Sequence, residues 1–69
     1  MKNSLRKKRA EKGYSQDRLA EILGVSRQTI ISIEKGKYNP SLPLALEISK
    51  LFGTIVEEVF YLDSGGDEE

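Results

Sequence analysis

Gly24 is the residue that most narrows what this chain can fold into. It stands between two short helical patterns, S-Q-D-R-L-A-E-I-L before it and, after Val25, S-R-Q-T-I-I-S-I-E-K-G. Leu19, Ala20 and Leu23 recur at the spacing that lines one face of a helix. Ser15 precedes that run and is placed to cap its free N–H groups. Gly24 follows the run, where a left-handed C-cap costs any other residue energy. Val25 bridges the turn and Ser26 caps the next helix. Ile30 and Ile33 then direct the second apolar face toward the same core. Two short helices meeting at such a turn form a helix-turn-helix, the motif that sets its second helix into the DNA major groove.

The 69 residues fit one small domain with limited area to bury, which favours binding over multistep catalysis. Cysteine and histidine are both absent, which excludes disulfides, thiolate zinc sites and histidine catalysis. No cofactor and no metal site is expected. The clustered carboxylates, Glu57 with Glu58 and Asp67 to Glu69, fall on a helix face or in the tail. Gly65-Gly66 lacks the following Lys-Ser/Thr of a phosphate loop. The chain is not expected to be an enzyme. No apolar stretch approaches the roughly 20 residues needed to span a bilayer, so no membrane partner is expected. The basic N-terminus lacks the apolar segment of a secretory signal.

A net charge of zero conceals a division by position. Residues 1–38 carry ten Lys/Arg against four Asp/Glu, whereas residues 39–69 carry only Lys50 against seven acids. The basic half contains the helix-turn-helix, an arrangement suited to a polyanion on one face.

The pattern predicts five helices and a tail. The first spans about Asn3 to Lys12, with Asn3 as N-cap and Gly13 as its stop. The second covers Gln16 to Leu23 and the third Arg27 to Lys35, closed by Gly36. A loop follows through Lys37, Tyr38, Asn39 and Pro40. Ser41 caps a fourth helix over Leu42 to Phe52, where Pro43 is tolerated in the first turn. Thr54 and Glu57 are placed as a capping box for a fifth helix over Ile55 to Phe60. Leu5, Leu44, Ile48, Leu51, Phe52, Val56, Val59 and Phe60 are expected to close the core. Residues 1–62 are read as one DNA-binding domain and residues 63–69 as a flexible acidic tail.

The strings S-Q-x-x-L-A-x-x-L-G-V-S-R-Q-T-I and I-E-K-G-K-Y-N-P-S-L resemble those of the lambda-repressor-like (Cro/cI, XRE-type) transcriptional regulators, over about Leu5 to Phe60. The resemblance implies an all-α, compact five-helix bundle with the helix-turn-helix in helices 2 and 3. It also implies a sequence-specific regulator, a repressor in the preferred reading, binding double-stranded operator DNA as a homodimer in the cytoplasm, associated with the nucleoid. By position, Arg27, Gln28, Ile31 and Ser32 match base-contacting residues. Ile31 stands where relatives often carry a polar residue; a thymine methyl contact and simple surface exposure are both open. Gln16, Lys37, Tyr38 and Asn39 match phosphate-contacting positions, Ser26 and Thr29 are placed for phosphate or base-edge contacts, and Arg9 and Glu34 match a structural ion pair. Ile55 replaces the Ser common in relatives, so helix five is expected to start differently. If exposed, Ile55 would join Tyr61 and Leu62 in a dimer surface; Val59 is read as core.

Two other readings compete. The chain could be the antitoxin of a toxin–antitoxin pair, binding DNA and a protein partner, with the acidic tail as the interaction segment. It could also be a protein-binding module that has lost DNA, which Arg27, Gln28 and the basic half argue against.

Overall fold

The three serines placed before the apolar runs cap the three helices that follow them. In the computed structural model, which describes residues 2–62, Ser15 accepts a hydrogen bond from Arg18 N–H, Ser26 from Thr29 N–H and Ser41 from Leu44 N–H. The order of elements is β1 (Lys2–Asn3), α1 (Leu5–Lys12), α2 (Gln16–Leu23), α3 (Arg27–Glu34), α4 (Leu42–Leu51), a 3₁₀ turn (Val56–Glu58) and β2 (Phe60–Tyr61). The expected acidic tail lies outside the described residues.

Gly24 ends α2 in the left-handed region at φ 73°. A side chain there would meet open space, so the demand for glycine comes from the backbone alone. The turn places the apolar faces of α2 and α3 against each other. Leu19, Ile30 and Ile33 are completely buried and Ala20 nearly so. Leu5 from α1, Ala45 and Ile48 from α4, and Val59 and Phe60 from the C-terminal segment complete the core. Leu23, Leu44, Leu51, Phe52 and Val56 pack around it, partly buried. None of these eight- to ten-residue helices would persist alone, so the shared core sustains all four.

The expected fifth helix is not an α-helix. One 3₁₀ turn replaces it, and the predicted capping box does not form: Thr54 Oγ1 instead bonds the Glu58 carboxylate. The cause lies at the other end of the chain. Ser4 Oγ donates to the Glu58 carbonyl at 2.8 Å, and Ser4 N–H donates to the Val59 carbonyl at 2.8 Å. The N-terminal segment thus ties down the end of the 3₁₀ turn and draws the chain beyond it into an extended path. Val59 turns into the core, and Phe60-Tyr61 pair antiparallel with Lys2-Asn3 in a two-stranded ribbon, Lys2 opposite Tyr61 and Asn3 opposite Phe60.

The same ribbon corrects the start of the first helix, which begins at Leu5. Asn3 lies in β1, yet its Oδ1 still accepts from Leu5 N–H at 3.1 Å. Its Nδ2 donates across the fold to the Ile33 carbonyl at 2.7 Å. One side chain therefore ties β1, the start of α1 and the end of α3. Asn3→Ala is expected to cost about 1–2 kcal/mol. Asn3→Asp, which sets an anion against the Ile33 carbonyl, should cost at least as much. Urea denaturation of both variants checks this; equal stability to the parent would remove Asn3 from the account.

Candidate nucleic-acid interface

α3 has one side fixed and one side open. Ile30 and Ile33 are completely buried, while Arg27 and Gln28 at its N-terminal end are exposed. Ser32 lies one turn beyond Gln28 and receives a hydrogen bond from its amide at 3.4 Å. The Ser26 and Thr29 hydroxyls bond each other at 2.9 Å beside the helix start, where Ser26 also accepts from Thr29 N–H. Gly36, at φ 75°, reverses the chain after α3, and Lys37 N–H donates to the Ser32 carbonyl at 3.0 Å. Lys37, Tyr38 and Asn39 follow on an exposed loop. Tyr38 shares a shallow depression with Ser26, Gln28, Thr29 and Ser32. Ile31 is half-buried on the other flank, in a depression shared with Arg6, Arg9 and Arg27.

An ion pair sets the orientation of α3. Arg9 Nε lies 2.7 Å from Glu34 Oε2 and Arg9 Nη2 lies 3.3 Å from Oε1, a two-pronged contact between α1 and the end of α3. Arg9 Nη1 donates to the Tyr14 carbonyl at 3.0 Å. Gln16 Nε2 donates to Glu34 Oε1 at 3.2 Å, bringing the first residue of α2 into the network. The Arg9 and Glu34 side chains are only 15% and 6% exposed.

Two of these contacts have no local sequence signal. Gln16, read as a phosphate ligand, uses one amide hydrogen on Glu34; its second hydrogen and its carbonyl remain for another partner. Arg27 lies 3.7 Å from Asp17 in an exposed, weak pairing. Only the fold brings together residues so far apart in sequence.

Removing one partner of the Arg9–Glu34 pair leaves a largely desolvated charge without its counterion. Glu34→Ala should therefore destabilise the domain by about 3 kcal/mol. The double variant Arg9→Met/Glu34→Leu, which removes both charges and retains volume, should be more stable than Glu34→Ala. Chemical denaturation of the two variants measures the ordering, and the reverse order would show that the pair is not effectively buried.

Residues 5–58, from α1 to the 3₁₀ turn, match the Helix-turn-helix family. The chain is 54% identical over 63 residues to the uncharacterized HTH-type transcriptional regulator YgzD of Bacillus subtilis (strain 168), spanning 91% of this chain and 96% of that protein. It is 58% identical over 60 residues to the uncharacterized HTH-type transcriptional regulator MJ0272 of Methanocaldococcus jannaschii, spanning 87% of this chain and 91% of that one. Among solved structures it resembles the restriction-modification controller protein C.AhdI from Aeromonas hydrophila. That match has a TM-score of 0.71 and 34% identity, and covers 81% of this chain and 85% of the other. A glycine-turned helix pair with one polar face open, shared along most of the chain with these regulators, makes this protein a member of the XRE-type helix-turn-helix family of DNA-binding transcriptional regulators.

Proposed function

We propose that the protein is a sequence-specific repressor that inserts α3 into the major groove of a palindromic operator as a homodimer. The observation that carries this reading is the presentation of α3: its apolar side is locked in the core while Arg27 and Gln28 stand exposed at its N-terminal end. Residues at that end of a recognition helix are the ones that meet base edges. Arginine matches guanine O6 and N7, and glutamine matches adenine N6 and N7, each good pair supplying about 1–3 kcal/mol of discrimination. Ser32 adds a hydroxyl, and Ile31 an apolar contact for a thymine methyl. Gln16, Ser26, Thr29, Lys37, Tyr38 and Asn39 serve the phosphates around this helix. Gln16 suits that role because its remaining amide hydrogen stands at a helix N-terminus, where anions are favoured.

A single small domain covers little DNA, roughly 600–1,000 Å² for modules of this kind, so a second copy supplies the remaining affinity. Ile55 is 61% exposed and Leu62 81% exposed, with Tyr61 between them in the ribbon. These exposed apolar groups support self-association through the C-terminal segment. Two copies of α3 about 34 Å apart would read a two-fold-symmetric site. Occupying DNA is the simplest way for such a domain to act, which gives repression as the sign. The likeness to a restriction-modification controller protein supports a regulatory role.

The test is selection of bound duplexes from a random pool at about 100–150 mM salt, where nonspecific attraction is screened. The Arg27→Ala/Gln28→Ala variant is run in parallel. The expected result is a two-fold-symmetric motif that the variant loses or alters. Featureless enrichment would overturn the reading, and co-purification of a small basic protein would favour an antitoxin. A monomer at micromolar concentration in sedimentation would remove the dimer.

A further inference from the structure

The basic run Arg6-Lys7-Lys8-Arg9 opens α1, and helical geometry divides it between two faces. Lys7 and Lys8 border a depression with Glu11, Glu57 and Glu58, so these cations face carboxylates. Arg6 and Arg9 border a different depression, between α1, the start of α2 and α3. Arg9 is committed to Glu34, whereas Arg6 makes no ion pair among the described residues.

On α3, Arg27, Ile31 and Lys35 border that second depression. Their four-residue spacing keeps them on one side of the helix. Lys35 also borders a third depression, with Lys2, Gly36 and Tyr61. Arg6, Lys35 and Lys2 thus continue from Arg27 along one flank of α3, and none of the three is ion-paired among the described residues. The carboxylates bordering this flank are Glu34, neutralised by Arg9, and Asp17, which sits by Arg27 at the near end. The depression on the opposite flank is lined by the uncharged Ser26, Gln28, Thr29, Ser32 and Tyr38.

We propose that Arg6, Lys35 and Lys2 form a phosphate-binding flank that holds the backbone of one DNA strand beside the recognition helix, a role that rests on the DNA-binding reading above. A cation at Lys35 would also complement the C-terminal end of the α3 dipole. That explains Lys35 alone and not why α1 and β1 bring Arg6 and Lys2 to the same side. The length fits: the eight steps from Arg27 to Lys35 rise about 12 Å. Because phosphates recur about every 3.4 Å of the duplex axis on one strand, a strip of that length reaches more than one of them.

The test is the salt dependence of binding by the full chain to its selected duplex, followed by fluorescence anisotropy. Each neutralised phosphate contributes about −0.9 to the slope of log affinity against log salt. Arg6→Gln/Lys2→Gln should flatten the slope by about two, and Lys35→Gln by about one, with the ranking of duplex sequences unchanged. Lys7→Gln/Lys8→Gln, which loses the same charge from the other face of α1, should leave the slope as it was. An Arg6/Lys2 variant with the parental slope, or a Lys7/Lys8 variant that flattens it equally, would overturn the flank. A parent protein that selects no duplex would overturn the DNA-binding reading as well, which separates the two failures.

Discussion

The Glu34 carboxylate is the point on which the geometry of this small domain turns. It receives two prongs from Arg9 on α1 and one from Gln16 on α2, while Arg9 Nη1 donates to the Tyr14 carbonyl in the turn between those helices. Three helices and one loop converge on a single pair of charges. Burying such a pair is not an obvious gain in stability, because desolvation offsets most of the attraction and an apolar replacement can be as stable. What it adds is direction. An apolar contact tolerates sliding, whereas a planar guanidinium fork accepts a carboxylate in few orientations.

α3 needs that direction because it has little rigidity of its own. Eight residues are too few to hold a helix in water. Its N-terminal turn is closed by the Ser26 cap and set by the left-handed Gly24. Its middle is fixed by Ile30 and Ile33 in the core. Near its C-terminal end, Asn3 binds the Ile33 carbonyl while Arg9 holds Glu34. The Ile33 carbonyl also accepts from Gly36 N–H at 2.9 Å, so the Asn3 amide takes the second lone pair of a carbonyl in the last turn and adds a tie to β1. The exposed side can be polar and poorly packed because everything holding the helix lies behind it.

What could be read from the sequence was what neighbours decide. Ser15, Ser26, Ser41 and Gly24 act on residues within a turn of themselves, so the bounds of α2, the start of α3 and most of α4 were legible. The segment after Gly53 was not. Thr54 and Glu57 have the spacing of a capping box, but the partners of this segment, Ser4 and β1, lie over fifty residues earlier. Asn3 was legible by half: its bond to Leu5 N–H is local, whereas its bond to Ile33 depends on the fold. Gln16 divides in the same way, its place at the start of α2 being visible and its bond to Glu34 not. For the candidate interface, the position of Arg27 and Gln28 at the helix entry was visible in the pattern. The two unlike flanks of α3 were not, because α1 and β1 build one of them.

The division of charge gives these local arrangements a common consequence. With no net charge, the domain gains little from long-range attraction as a whole, yet its halves carry opposite sign. Such a molecule is oriented by a polyanion before it touches it, within roughly a Debye length of about 10 Å at 0.1 M salt. Lys7 and Lys8 are set toward Glu11, Glu57 and Glu58, which lessens their pull, and Arg9 is neutralised by Glu34. Arg6, Lys35 and Lys2, which make no ion pair among the described residues, border the depressions beside α3 instead. Glu57 and Glu58 border the depression with Lys7 and Lys8 and not the one beside α3, so a polyanion meets less repulsion on the flank where Arg6, Arg27 and Lys35 stand.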